Sequence, residues 1–380
     1  MLSPKPKRWL WILIGCPGLF ILLCIGAVAV AQFLFVLYQQ PIVDRGSSSG
    51  RVFSSAPGQP VCQTLYQPPS ATLSPANAAQ IQPICDIVGV EFVGWVSNGK
   101  ELAVTDGRNL HFIDTATAVL NRSVPQSGGL TICQYGKLVA VSPDGRFAGI
   151  CCGGKPNEIL KVLNLESESE LAWNMKLEQY LRDARFAPDG KLLALELNNG
   201  IVMIDVLSGE RIPIHPTLGE GSKFSPDLRF VAVRNITETE VWDLKGNKLL
   251  SVPVTGRGIA GEFSSDGRLI LVPPGKGEVE VWDLSKGQML GVLNISSYPY
   301  HFSPLGDLVV FQAGRQSFTL LQVDNNKLLA SPKTGVRINL LQPGLAFSPD
   351  SRLFAINLEE TTSDGHRLSI AVQLWGIVQR

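Results

Sequence analysis

Short apolar segments separated by polar turns recur along most of this chain in one order. The clearest unit is Phe347-Ser348-Pro349-Asp350-Ser351-Arg352-Leu353-Phe354-Ala355. Its counterparts begin at Val96-Ser97, Val141-Ser142, Phe186-Ala187, Phe224-Ser225, Phe263-Ser264 and Phe302-Ser303. Counted between the Ser or Ala anchors, the gaps are 45, 45, 38, 39, 39 and 45 residues. A period near 40 marks a repeat architecture. Within each unit, Pro presets the first corner of a tight turn, Asp caps it and Gly supplies the positive φ that closes it, as in Pro143-Asp144-Gly145. Apolar residues before and after the turn predict two short antiparallel strands.

A third strand with a polar stop follows in every unit. Glu240-Val241-Trp242-Asp243-Leu244 and Glu280-Val281-Trp282-Asp283-Leu284 are the strongest examples, and Phe112-Ile113-Asp114, Val162-Leu163-Asn164 and Met203-Ile204-Asp205 are weaker ones. A fourth strand comes next, such as Gln288-Met289-Leu290-Gly291-Val292-Leu293. Four short strands per unit of this length make one blade of a β-propeller. The expected fold is therefore all-β: a seven-bladed β-propeller of four-stranded antiparallel blades over residues 78–380, preceded by one N-terminal transmembrane helix.

The pattern resembles WD40-type propeller repeats. The first copy shades toward the related YVTN-type repeat, with Leu102-Ala103-Val104-Thr105 followed by Phe112-Ile113-Asp114-Thr115-Ala116-Thr117. The resemblance implies a scaffold whose ligands are proteins. The Gly-His pair that usually precedes the first strand of a WD40 blade is missing; the single Gly-His, Gly365-His366, falls in a loop of the last repeat. Apolar packing, with Phe186, Phe224, Phe263, Phe302 and Phe347 in equivalent slots, is expected to hold the blades instead.

The last repeat stops after its third strand. A ring must close or leave unpaired edges, so the segment 78–87 is expected to supply the outer strand of the last blade beside 368–375.

Ahead of the repeats, residues 1–8 carry Lys5, Lys7 and Arg8, and Trp9 to Tyr38 is free of charge. Thirty uncharged residues exceed the roughly 20 that span a bilayer as helix. The basic cluster before the span predicts a cytoplasmic N-terminus and a propeller outside, a single-pass membrane protein. Two alternatives also export the propeller: signal-peptidase cleavage at Ala29-Val30-Ala31, and a lipobox at Leu13-Ile14-Gly15-Cys16. Residues 39–77, with Gly46-Ser47-Ser48-Ser49-Gly50, have the composition of a flexible stalk.

Composition narrows the function. Lys+Arg and Asp+Glu are 33 each, and no basic stripe stands out, which argues against nucleic acid as a partner. Four scattered His give no metal-ligand spacing, and no P-loop occurs. The turns run Asp-Gly-Arg rather than the Asp-box pattern of sialidase-like propellers, and their Asp residues read as turn caps. No catalytic residue, cofactor or metal site is expected. Outside the apolar span stand five Cys. Cys62 with Cys85 would pin the stalk to the closing strand, and Cys133 would meet Cys151 or Cys152 across a hairpin; buried thiols are the alternative for the strand cysteines. Candidate interaction loops carry Lys155, Asn157, Lys276, Tyr298, Tyr300 and His366. The expected function is a membrane-tethered, extracytoplasmic, non-catalytic protein-binding scaffold. The rival is a propeller-fold hydrolase or lyase acting on a sugar or lactone at the central channel.

Overall fold

The computed structural model describes residues 53–63, 66–125, 137–152, 158–198, 200–214, 222–255, 258–275, 277–295, 300–339, 344–361 and 367–378. The expected N-terminal span, 9–38, lies outside them; among the described residues no helix is long and apolar enough to cross a membrane.

The strands form seven antiparallel sheets over 91–125, 137–176, 181–212, 223–253, 262–293, 300–330 and 337–376, the last completed by Gln82–Val88. First strands of several neighbouring blades pack against one another, among them Glu91–Val96 on Lys137–Val141 and Lys137–Val141 on Leu181–Phe186. The expected Phe slots are filled: Phe186, Phe224, Phe263, Phe302 and Phe347 are all buried between neighbouring sheets. The cores are correspondingly inter-blade; Phe186, for example, packs with Phe147 and Leu160 of the preceding blade.

The repeated turn is organised by its serine. Ser142, Ser225, Ser264 and Ser348 are fully buried, and each hydroxyl donates to the Asp two residues on, at 2.6 Å. The same oxygens accept the backbone N–H of Phe147, Phe230, Leu269 and Leu353 at 2.8–3.0 Å. One hydroxyl thus ties both strands of the hairpin to the capping carboxylate. In blade 6, where Leu305 replaces the Asp, Ser303 reaches Asp307 instead, at 2.8 Å. Consecutive turns also touch. Gly190 has φ +69, and a Cβ there would come within 2.6 Å of the Asp144 carboxylate in the preceding blade. Arg229 reaches across to donate to the Asp266 carbonyl at 2.8 Å. The polar stops of the third strands are caps as well: the Asp114, Asn164, Asp205, Asp243 and Asp283 side chains accept backbone N–H groups two residues on.

Ring closure follows the missing-strand argument. Gln82–Val88 pairs antiparallel with Arg367–Gly376, with Asp86 opposite Gln373 and Cys85 opposite Leu374. The inner strand of this blade is split into Arg337–Ile338 and Leu345–Phe347, both paired with Leu353–Thr361. The Asn357 side chain accepts the Phe92 N–H at 2.8 Å and so joins the last blade to the first.

The expectation of a flexible stalk up to residue 77 requires correction. From Phe53 onward the described chain lies on the propeller as a strap. Gly58 and Val61 donate to the Leu120 and Ala118 carbonyls, Ser70 donates to the Ile377 carbonyl at 2.7 Å, and Leu73 is fully buried in the core of the last blade. Counting Ser, Pro and Gln hid the anchors. Phe53, Val61, Tyr66 and Leu73 are spaced widely enough to look like linker, yet each fills a place on the ring.

Candidate functional site

Three features of the ring bear on function, and the first is an arc of charge on the innermost strands. The residue directly before each anchoring apolar residue is Arg185, Lys223, Glu262 and His301 in blades 3 to 6, but Trp95, Ala140 and Ala346 in blades 1, 2 and 7. Lys223 meets Glu262 at 3.2 Å and His301 meets the other oxygen of Glu262 at 3.3 Å. Glu196, on the second strand of blade 3, accepts the Phe224 N–H at 3.2 Å. Burial opposes charge on Glu262, but the Lys223 ammonium and the His301 ring outweigh it and hold the carboxyl far below its ordinary range. Glu196 goes the other way: burial, reinforced by Asp183, pushes it up to about 7. The arc pairs its charges across two blade boundaries and adds a carboxylate–backbone bond across a third. Its chemistry is that of a buried ion-pair chain holding blades in register.

The second feature is a notch on the face that carries the strand two–three loops and the blade connections. Gln312, Arg315, Arg337, Ile338, Asn339 and Glu359 line a cavity of about 270 Å³ between blades 6 and 7. The Ile338 N–H donates to the Arg315 carbonyl at 2.8 Å, and the Thr334 N–H to the Gln316 carbonyl at 2.9 Å. These bonds clamp the connection between the blades onto the hairpin tip and fix both arginines at the mouth.

The cysteines are the third. Cys62 and Cys85 form a disulfide, with Cα atoms 5.2 Å apart, that fastens the strap to the closing strand. Cys152 is disulfide-bonded too; Cys133, the partner expected for it or for Cys151, lies outside the described residues. Cys151 is a buried thiol packed in the core shared by blades 2 and 3.

Of the candidate loop residues, Lys155, Asn157, Lys276, Tyr298 and His366 lie outside the described residues. Tyr300 does not belong to a surface loop. It opens the inner strand Tyr300–Phe302, opposite Phe311, and is buried with only 3% of its surface exposed. Strand alternation puts Tyr300 on the same inward face as Phe302. Among the described residues no group of three or more His, Cys, Asp or Glu is placed to hold a metal. Trp242 and Trp282 are half-buried, and each indole N–H donates to the Glu two residues earlier, so they serve the blades.

The charged arc and the notch both escaped the sequence reading. A signal for the arc existed: four charged or titratable residues share the column before the anchoring Phe. For the notch there was none, since Arg315 and Arg337 come from different blades and meet only when the ring closes.

Seven four-stranded blades built on one Ser-Pro-Asp-Gly hairpin make this a WD40-type β-propeller. No family model matches the sequence. Among curated proteins, the chain is similar to the U3 small nucleolar RNA-associated protein 18 homolog of Homo sapiens, 31% identical over 117 residues, which is 28% of this chain and 21% of that protein. Its Mus musculus counterpart is 28% identical over 196 residues, 46% of this chain and 34% of that protein. The matched region thus spans between a fifth and about a third of the length of these relatives. Among solved structures, Kuenenia stuttgartiensis hydrazine synthase superposes with a TM-score of 0.50 at 16% identity, covering 69% of this chain and 90% of that one. That likeness shows the fold alone.

Proposed function

We propose that this protein is a non-catalytic scaffold that binds protein partners on the loop face of its propeller, tethered to a membrane by residues 9–38 with the propeller outside the cytoplasm. The observation that carries the scaffold reading is the use of chemistry-bearing side chains. The turn aspartates are occupied as caps, and the arc acids are paired or bonded to backbone, so the polar groups of the ring serve the ring. What varies around that rigid frame is the loop face, where binding on such scaffolds resides. Passing from fold to function is analogy, supported here by the WD40-type repeat. The exported, tethered reading is supported by the uncharged span and by the Cys62–Cys85 disulfide, a bond that persists in oxidising compartments.

The curated relatives are named for association with a small nucleolar RNA, so the expectation that nucleic acid is not a partner loses its support. RNA therefore belongs in the test. Crosslinking in intact cells with the full-length chain, against a control lacking 53–380, followed by mass spectrometry and RNA sequencing, separates the readings. The scaffold reading expects reproducible protein partners lost with the propeller. Recovery of RNA without protein partners, or hydrolysis of a lactone or glycoside by the purified chain, would count against it.

A further inference from the structure

The notch between blades 6 and 7 has a polarity that selects a ligand. Arg315 sits at the tip of the hairpin joining Leu308–Gly314 to Ser317–Gln322, and Arg337 on the short strand paired with Leu353–Thr361. Both side chains are exposed, and neither guanidinium makes an ion pair or hydrogen bond among the described residues. Several arginines elsewhere in the ring are engaged: Arg229 with Asp227, Arg268 with Asp283 and Arg234 with three carbonyls. Two unengaged guanidiniums beside one cavity form a carboxylate or phosphate receptor, because each offers a planar fork of donors.

Size and the remaining lining decide between those anions. A cavity of about 270 Å³ lies below the range of about 300–1,000 Å³ usual for small-molecule sites; it suits a side chain or two from a larger partner. Glu359 stands opposite Arg337 in the strand register, so a negative charge shares the rim with the arginines. A nucleic acid backbone brings a phosphate at every residue and would press one against Glu359. A peptide can bring its charge at a single side chain, set against the arginines and away from Glu359. The buried floor of Ile338 and Asn339 is fixed from both sides, by the Arg315 carbonyl and by the Asn357 carbonyl that accepts the Asn339 N–H at 2.8 Å. The receptor is therefore preformed rather than assembled on binding.

We propose that the notch between blades 6 and 7 binds an acidic, extended segment of a partner protein, with Arg315 and Arg337 gripping an Asp or Glu carboxylate. This rests on the scaffold reading and gives the partner its chemistry.

Fluorescence anisotropy on the detergent-solubilised full-length chain tests it, using a labelled glycine- and serine-rich peptide carrying one Glu, its counterpart carrying Gln in that place, and a labelled oligouridylate. The acidic peptide is expected to bind and the neutral peptide not. The double variant R315Q/R337Q should weaken that binding by at least about tenfold, as the loss of arginine anchors at interfaces commonly does, with an unchanged melting temperature. Equal binding of the neutral peptide, insensitivity to the double variant, no binding of the acidic peptide, or tighter and arginine-dependent binding of the oligouridylate would each overturn the assignment. Crosslinking capture repeated with R315Q/R337Q keeps the two claims apart. If protein partners are retained undiminished, the notch is not their acidic receptor and the scaffold stands; if the wild-type chain captures none, the scaffold itself fails.

Discussion

At the scale of single residues, the repeated turn shows how far a motif can be read and where it stops. Its Pro, Asp and Gly could be assigned roles from sequence, because each role depends on local backbone geometry. The serine could not, because its role depends on two strands meeting around a buried hydroxyl. Substituting Ser264 with Ala should leave the Leu269 N–H and the Asp266 carboxylate without their shared partner. The expected cost is about 1–3 kcal/mol, read as a lower melting temperature. Ser351 is the converse case. It stands where most other copies have Gly, at φ +55, with a buried hydroxyl that has no hydrogen-bond partner. A left-handed backbone costs a non-Gly residue about 1–2 kcal/mol, partly offset by the greater chain entropy of glycine. Ser351→Gly should therefore stabilise the chain by about 1 kcal/mol, and an unchanged or lower melting temperature would show that the strain is compensated elsewhere.

At the scale of elements, the closing strand was legible and the strap was not. A repeat that ends one strand short demands a partner from the other terminus, and Gln82–Val88 answers that demand. The strap has no periodicity to read, only isolated apolar anchors in polar surroundings. Its fastening was visible in the cysteines: Cys62 and Cys85 are 23 residues apart and joined across the strap–strand junction. Replacing both with Ser should cost about 2–4 kcal/mol. Limited proteolysis is the sharper readout, since cleavage within 53–77 should accelerate in the double variant while the blades resist. Equal resistance would mean that Leu73, Tyr66 and Val61 hold the strap unaided.

At the scale of the whole molecule, the ring is held by apolar packing at every boundary and by the charged arc at blades 3 to 6. The sign of the pH dependence can be worked out for Glu196. Its carboxyl is pushed up to about 7 in the folded chain from an ordinary value of 4.5. The folded state thus holds the proton more tightly than the unfolded state. The associated stability is fully present below the ordinary value and is lost as pH rises through about 7. Glu262, held ionised, contributes in the opposite sense, losing stability as the solution turns acid. Glu196→Gln keeps an acceptor for the Phe224 N–H and removes the titration, so its gain in melting temperature over the wild type should be larger at pH 8 than at pH 5. Equal gains at both would place the proton elsewhere in the arc. The ring also explains why the notch could not be read from the sequence: a site made by neighbouring blades exists only after every blade is placed.

The central claim is that a rigid propeller presents its loop face to protein partners. Hydrogen–deuterium exchange on the full-length chain, with and without a partner captured by crosslinking, tests it most directly. The account predicts new protection on the face of the strand two–three loops and blade connections, including residues 312–317 and 334–339 around the notch, with the Ser-Asp turns on the opposite face unchanged. Protection confined to those turns or to the outer strands would contradict it.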